Sequence, residues 1–313
     1  MKRLNYFLIR LLQMVPVLLI VTLVVFALIH LIPGDPARLM LGDRATLSAI
    51  AALREKLGLN EPLVVQYGIF MRNLAQLDLG NSIVYHKPVL SLFADRLQVT
   101  LSLALMTGLI SALIGLPLGY IAAKHKDKLP DQLIRGSALV AISLPVFWVG
   151  LMLLIAFALK IRLFPIGGWG TTWPEHLRSL VLPAITLSLS TMALLMRNSR
   201  NSIIDVMRSD FVDFARSKGL KQSIIRNRYV IRNGLISSIT LLSLQMAVMI
   251  GGSAVTESVF NLPGLGQLML QSIFARDYPV VQGTLLIIAL MVMIMNVLTD
   301  VIYSFLDPRV TLD

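Results

Sequence analysis

The sequence predicts an all-α polytopic membrane protein with six transmembrane helices. Of its 313 residues, 56% are hydrophobic and only 14% are charged, whereas a soluble domain carries about 25% charged residues. Six long runs contain almost no charged side chain, and each has close to the ~20 apolar residues that a helix needs to cross a bilayer. The runs do not alternate apolar and polar residues, which argues against the strands of a membrane β-barrel.

The six runs divide the chain in order. The first, 11–31, follows Lys2, Arg3 and Arg10 and is too long for the apolar part of a signal peptide, so we expect it to be retained. The predicted organisation is an N-terminal transmembrane helix 1–32, an extracytoplasmic helical cap 33–96, a core transmembrane domain 97–306 and a cytoplasmic C-terminal tail 307–313. Within the core domain the predicted spans are about 97–123, 136–159, 179–198, 233–256 and 278–302, with a cytoplasmic loop 199–232.

The net charge of +11 predicts orientation. Segment 197–232 alone holds nine basic residues against three acidic ones, and an excess of Lys and Arg in short loops marks the cytoplasmic side. Both termini, 124–135 and 197–232 are therefore expected in the cytoplasm. We attribute the basic charge to this topology and to attraction between the protein and anionic membrane lipid, and expect no nucleic acid as a partner.

The sequence offers little for catalysis or metal binding. It has no cysteine, its four histidines are scattered, and it lacks the GxxxxGK[ST] pattern of a phosphate-binding loop. No nucleophile, base and acid can be grouped from the soluble segments. We therefore predict no catalytic residue, metal ligand or cofactor on this chain, and expect any energy-driven work to draw on a partner or an ion gradient.

Several local patterns predict structure within this frame. Thr46 or Ser48 can cap a helix that ends at Gly58, and a second helix is expected over about 62–77. This cap serves either as a structural lid or as a docking surface for an exterior partner. Ser143-Leu-Pro145 predicts a kink in the third span, and the spacing of Gly115 and Gly119 predicts close helix packing.

The fifth span ends in candidate residues for a translocation pathway. Gly251, Gly252 and Ser253 suit close packing or a narrow pore wall. Glu257 follows at the end of the span, where interfacial pairing or helix capping is expected to hold it. We predict that these four residues lie on or beside the pathway.

A short amphipathic helix is predicted within DFVDFARSKGLKQSIIRNRYVIRNGL, residues 210–235. Phe211, Phe214 and Ala215 recur at helical spacing, Asp213 lies in the first turn, and Gly219 is placed to end the helix. Such a helix either inserts into a groove of another protein or lies on lipid. Its apolar face is only about two turns long, which favours docking to a protein.

This segment resembles a known family. Asp213-Phe-Ala215, three further residues and Gly219 are similar to the cytoplasmic EAA-type loop of binding-protein-dependent ABC transporter permeases. Ile231-Arg232-Asn233 resembles the LRN run of the peptide and nickel branch. The family's usual small residue, histidine and proline are replaced here by Phe214, Tyr229 and Ser237. Further motifs follow in the family's order: His30-Leu-Ile-Pro33-Gly34-Asp35-Pro36, Leu57-Gly-Leu-Asn-Glu-Pro62, Asp78-Leu-Gly80, Phe260-Asn-Leu-Pro263-Gly264-Leu-Gly266, Arg276-Asp277-Tyr278-Pro279-Val280 and Asp307-Pro308-Arg309.

The resemblance implies a type I ABC importer permease, with the MetI-like fold, in the bacterial inner membrane. It implies a second homologous permease, two cytoplasmic ATPase subunits that hold ATP and Mg, and an extracytoplasmic solute-binding protein as partners. It also implies ATPase-coupling residues: Phe211, Asp213, Phe214, Ala215 and Gly219 as the docking core, with Arg232 and Asn233 fixing the loop against the helix bundle.

The resemblance leaves the cargo open. Short peptides are the favoured cargo, with nickel or metal chelates and glutathione as alternatives. An ion-driven secondary transporter is disfavoured because the spans carry almost no charge at mid-depth. A membrane scaffold or receptor that transports nothing is the third possibility.

Overall fold

A computed structural model describes residues 2–31, 37–38, 45–56 and 58–306. The predicted helix break at 33–36 and the tail 307–313 lie outside the described residues. The described chain is mainly helical, which confirms the all-α prediction. Its main helices are α1 (Lys2–Leu31), α2 (Leu47–Lys56), α3 (Leu63–Ala75), α4 (Phe93–Lys124), α5 (Leu129–Ser143), α6 (Val146–Leu153), α7 (Trp173–Met207), α8 (Asp210–Ser217), α9 (Ile236–Gly252), α10 (Ala254–Val259), α11 (Leu265–Phe274) and α12 (Tyr278–Leu306).

Four helical stretches of the described chain are long and apolar enough to cross a membrane, namely Val89–Lys124, Trp173–Met207, Gln222–Gly252 and Tyr278–Thr299. A fifth is added if α5 and the stretch Val146–Lys160 form one broken span. Within α1, Leu12–Leu28 is a shorter apolar helix. The chain is therefore an integral membrane protein, and its described residues provide four to five spans.

The predicted kink at Pro145 is confirmed and is larger than an ordinary kink. The two helices on either side of it are bent by 100°. Pro145 has no N–H to continue the helix, and Leu144 before it is forced into an extended conformation, with ψ 132°. The third predicted span is consequently a broken element, which either crosses the membrane with a sharp corner or re-enters on the same side.

The chain divides into two compact units, 101–262 with 294–313 and 1–100 with 263–293. In the first of these, α4 packs against α7 through its glycines. A Cβ added at Gly115 would lie 2.9 Å from the carbonyl oxygen of Met192, and one at Gly119 would lie 2.8 Å from that of Met196. Real Cβ atoms do not approach so closely, so the predicted close packing at this pair is confirmed.

In the second unit, α1 packs against α3 through polar and aromatic side chains. The hydroxyl of Thr22 lies 2.9 Å from that of Tyr67, and the His30 ring nitrogen Nε2 lies 3.0 Å from Gln66 Oε1. Thr46 caps α2 by accepting a hydrogen bond from the Ala49 N–H. Gly58, with φ +64°, follows the end of that helix, as predicted.

The 80–89 loop of the same unit is fastened by a buried carboxylate. The loop closes on itself because the Ser82 N–H donates to the Lys87 carbonyl at 2.9 Å and the Val89 N–H donates to the Gly80 carbonyl at 3.0 Å. Asp277, which is fully buried, accepts hydrogen bonds from the Ser82 hydroxyl and from the N–H groups of residues 83 and 84. This contact was not predicted from the sequence.

Candidate functional site

The 208–235 segment connects α7 to α9 through a tight turn, the short helix α8 and three short helical pieces. Ser209 precedes α8 in an extended conformation, with ψ 146°, and its hydroxyl donates back to the Val206 carbonyl at 2.6 Å. After α8 come Gln222–Ile224, the π-helical turns Ile225–Ile231 and Arg232–Gly234. The segment is therefore an ordered return of the chain, and α8 occupies the position predicted for the docking helix.

One face of α8 is seated on an apolar cluster. Val212 is fully buried, and Ala215 is only 3% exposed. They share this cluster with residues from α4, α7 and the helical turns before α9, namely Ala123, Ile203, Ile204, Ile225 and Val230. Ala215 was predicted to share a face with the two phenylalanines, and the structure corrects this. Positions 212 and 215, three residues apart, form the inward face, so Ala215 fastens the helix to the rest of its unit.

The exposed side of α8 carries the phenylalanines. Phe211 is 45% exposed and Phe214 is 62% exposed. Beside them Arg216 Nη1 donates to Asp213 Oδ1 at 2.9 Å, and the Lys218 ammonium lies 4.6 Å from the centre of the Phe214 ring. A helix in contact with water normally turns its large apolar residues inward, so two outward phenylalanines framed by charges are typical of a protein-binding surface.

Gly219 ends α8 in a Schellman motif. The Gly219 N–H donates to the Arg216 carbonyl at 2.9 Å, and the Leu220 N–H donates to the Ala215 carbonyl at 3.3 Å. Gly219 has φ +73°, a backbone conformation that side chains with a Cβ rarely adopt. Leu220 then packs on the same apolar cluster as Ala215. The predicted helix end is thus confirmed.

The return of the chain into α9 differs from the prediction. Arg232 and Asn233 were expected to fix the loop against the bundle, but both are exposed, and the Asn233 amide donates to the Tyr229 carbonyl at 2.7 Å. The close approach is made instead by Gly234, where an added Cβ would lie 2.7 Å from Ile203 Cγ1. At position 234 the backbone itself contacts α7, so any side chain there would clash with Ile203 and only glycine fits.

The ion pair beneath this segment was not predicted from the sequence. Arg200 on α7 donates from Nε and Nη2 to the two carboxylate oxygens of Asp131, at 2.6 Å each. Asp131, in the first turn of α5, is fully buried and also accepts the N–H of Asp127 at 2.9 Å. Because 69 residues separate the two partners, no local spacing could have joined them. Asp131 precedes the predicted span 136–159 and Arg200 follows the predicted span 179–198, so neither stood out from the other charges of the connectors.

The pathway candidates separate into two pairs. Gly251 and Gly252 are exposed, and a Cβ added at either would meet no atom within 4 Å among the described residues. Ser253 and Glu257 are buried, and the Ser253 hydroxyl donates to Glu257 Oε1 at 2.8 Å. Glu257 was expected to pair at the interface or to cap a helix. It is fully buried in the first turn of α10 and accepts its hydrogen bond from Ser253, the residue before that helix, and its place at the membrane interface stays a prediction.

Comparison with known proteins identifies the family. The model of the binding-protein-dependent transport system inner membrane component matches residues 115–312, and the N-terminal model of the same transport systems matches residues 3–104. The chain belongs to this family. Membership makes it a membrane component of a transport system rather than an enzyme.

Its relatives match over nearly the full length. A putative peptide transport system permease of Brucella abortus is 40% identical over 97% of this chain and 98% of that protein. The dipeptide transport system permease DppB of Alkalihalophilus pseudofirmus is 36% identical over 96% of this chain and 97% of its own length. The glutathione transport system permease GsiC of Salmonella typhimurium is 37% identical over 98% of this chain and 99% of its own.

Solved structures share the fold. The inward-facing MetNI methionine ABC transporter aligns with a TM-score of 0.58 at 15% identity, over 70% of this chain and 97% of that one. An amino acid ABC transporter with histidines aligns with a TM-score of 0.51 at 19% identity, over 70% of this chain and 94% of that one. The predicted MetI-like fold of ABC importer permeases is thereby confirmed.

Proposed function

We propose that the chain is one of two permease subunits of an ATP-driven importer that carries short peptides across the bacterial inner membrane. The relatives support this cargo, since they are named for peptide, dipeptide and glutathione transport. Glutathione is itself a short peptide and is the second candidate cargo. An extracytoplasmic binding protein delivers the cargo, as the name of the family indicates.

In the proposed topology six helices cross the membrane and both termini are cytoplasmic. The apolar part of α1 supplies the first span, the broken pair around Pro145 the third, and the four long apolar stretches the others. The basic connectors at 124–135 and 197–232 support a cytoplasmic position for the 208–235 segment.

The single observation that carries the coupling role is the exposed pair Phe211 and Phe214 on a helix whose other face is locked into its unit. An ATPase subunit would take the two rings into a groove, with Asp213 at the rim. Val212 and Ala215 would then transmit any displacement to α7, because close-packed side chains move together rather than compress. Gly219 keeps α8 at a fixed angle, whereas Arg232 and Asn233 are free to face the ATPase. ATP and Mg belong to the ATPase subunits.

For the pathway, we propose that Gly251 and Gly252 form part of a wall completed by the second permease. Their open side would let cargo or a partner helix approach the backbone closely. The buried pair Ser253 and Glu257 lies directly behind this wall and holds the start of α10 through its hydrogen bond.

Phe214→Ala tests the coupling role. The ring is mostly exposed, so the variant should insert and unfold like the wild type, while a lost aromatic anchor should weaken ATPase binding by about 30-fold or more. ATPase co-purification and ATP-dependent uptake by reconstituted vesicles would measure this. Phe274→Ala is the matched control, because Phe274 is 84% exposed and is expected on the opposite side of the membrane. Unchanged ATPase binding in Phe214→Ala, or an equal loss in the control, would contradict the assignment.

Cargo is tested separately. The binding protein that stimulates ATP hydrolysis by the purified complex can be identified, and its ligand measured by calorimetry and mass spectrometry. We expect a short peptide. A binding protein that takes a metal chelate and has no peptide affinity would exclude the proposed cargo while leaving the coupling role intact.

A further inference from the structure

A cavity of about 560 Å³ lies between α5 and α7. Its α5 wall runs from Gln132 to Ile142 and its α7 wall from Ala193 to Asn201. The whole cavity belongs to one compact unit of the chain, and none of the coupling or pathway residues lines it. The proposed transport cycle therefore gives this space no role.

One end of the cavity is strongly cationic. Arg135, Arg197 and Arg200 line it, and no acidic residue does. Arg200 is neutralised by Asp131, whose two oxygens are already taken by the Arg200 guanidinium at 2.6 Å. Arg135 lies 4.0 Å from the same carboxylate and is 54% exposed. For Arg197, also exposed, no ion pair is found among the described residues. Three arginines thus line this end of the cavity and only one carboxylate, Asp131, pairs with them, so the end keeps a net positive charge.

The other end of the cavity is apolar. Ala138, Leu139, Ile142, Ala193 and Met196 line it. Leu139 is 69% exposed and Ile142 is 45% exposed, so both side chains are accessible to a molecule in the cavity. Seven residue steps separate Arg135 from Ile142, which is a rise of about 10 Å along the helix. A cationic end and an apolar end this far apart match a molecule with an anionic head and a hydrocarbon tail.

We propose that this cavity binds one anionic phospholipid of the cytoplasmic leaflet. Its phosphate lies between Arg135 and Arg197, and an acyl chain follows Leu139 and Ile142. The inference rests on the proposed function for the orientation of the chain. The neighbouring lysines at 124, 126 and 128 collect anionic lipid at the same surface, which favours lipid over a soluble anion.

The position of the lipid gives it a consequence for coupling. Arg200 lies one helical turn from Ile203 and Ile204, which carry the buried face of α8. A lipid wedged between α5 and α7 therefore braces the two helices directly beneath the coupling helix. We expect ATP-driven uptake to depend on anionic lipid at this one site.

The test uses the purified complex in nanodiscs of phosphatidylcholine with or without phosphatidylglycerol. Native mass spectrometry counts the phosphatidylglycerol molecules retained, and titration gives the affinity. Arg135→Gln combined with Arg197→Gln should weaken retention of one phosphatidylglycerol by about 30-fold, since each basic residue near the surface is worth about 1 kcal/mol. Arg226→Gln combined with Arg228→Gln removes the same charge from exposed positions outside the cavity and should retain the lipid.

A second variant and two further probes separate the other occupants. Leu139→Gln should weaken phosphatidylglycerol retention, because a polar side chain removes an apolar contact of the acyl chain. Displacement of the bound phosphatidylglycerol by millimolar inorganic phosphate would show a free-anion site and overturn the proposal. The chain has no cysteine, so Arg135→Cys can be cross-linked cleanly, and an adduct with the second permease would show that a protein covers the cavity. Equal phosphatidylglycerol counts in the wild type and all variants would also overturn the lipid proposal. Because lipid counting needs no transport, its failure is distinguishable from failure of the proposed function.

Discussion

A fully buried carboxylate fastens both the connector between α4 and α5 and the 80–89 loop, but the groups that bind the two carboxylates differ. Asp131 faces the guanidinium of Arg200 and also accepts one backbone N–H. Asp277 accepts from one hydroxyl and two backbone N–H groups, and no cation pairs with it among the described residues. One region is held by an ion pair, and the other is held by uncharged donors around a single charge.

This difference predicts how each region fails. Removing one member of a buried ion pair leaves the other charge without compensation, whereas removing both can be nearly neutral. Removing a carboxylate that only neutral groups surround leaves several unsatisfied donors, for which no single compensating substitution exists. The region built on the ion pair should therefore be the more sensitive to one substitution and the easier to rescue with two.

Asp131→Ala should have the largest effect. It leaves the Arg200 guanidinium buried without its partner, and we expect the free energy of unfolding to fall by about 3–5 kcal/mol. Thermal unfolding of the detergent-solubilised chain, followed by tryptophan fluorescence, would measure this. Asp131→Leu combined with Arg200→Met should recover most of the loss. A single variant within 1 kcal/mol of the wild type, or a double variant worse than the single, would show that the pair is not the fastening.

Asp277→Asn should have an intermediate effect of about 2–3 kcal/mol, because one amide oxygen replaces a charged acceptor of three hydrogen bonds. The loss should be local, so the amide protons of Ile83 and Val84 should exchange with solvent faster than in the wild type, as hydrogen-exchange mass spectrometry can measure. Asp95→Asn is the control, since Asp95 is exposed in the first turn of α4. Unchanged exchange in the 80–89 loop would argue against a fastening role for Asp277.

Features set by local chemistry were predictable from the sequence. The bend at Pro145 follows from a missing N–H, the end of α8 from the αL conformation at Gly219, and the close packing of α4 on α7 from two glycines four residues apart. Each of these effects acts within a few residues, so a single stretch of sequence contains the whole cause.

Contacts between distant residues could not be predicted in this way. Asp131 and Arg200 are 69 residues apart, and Ser82 and Asp277 are 195 residues apart, so only the tertiary fold pairs them. The face of α8 that packs on its own unit was not predicted either. Ala215 was placed on the docking face with the two phenylalanines, whereas it is buried beside Val212 while Phe214 is exposed as expected, because which neighbours α8 packs against is again set by the tertiary fold.

The smallest effect is expected at Arg216, because it forms an ion pair that is not buried and so tests the contribution of charge pairing alone. Its 2.9 Å bond to Asp213 is nearly as short as those of Arg200, but the two side chains are 43% and 65% exposed. Solvent and salt screen such a pair, so Arg216→Ala should change the free energy of unfolding by about 0.5 kcal/mol or less. The same thermal unfolding assay, run at low and high salt, would check this. If Arg216→Ala lowered the free energy of unfolding as much as Asp131→Ala does, hydrogen-bond geometry rather than burial would explain the strength of both pairs.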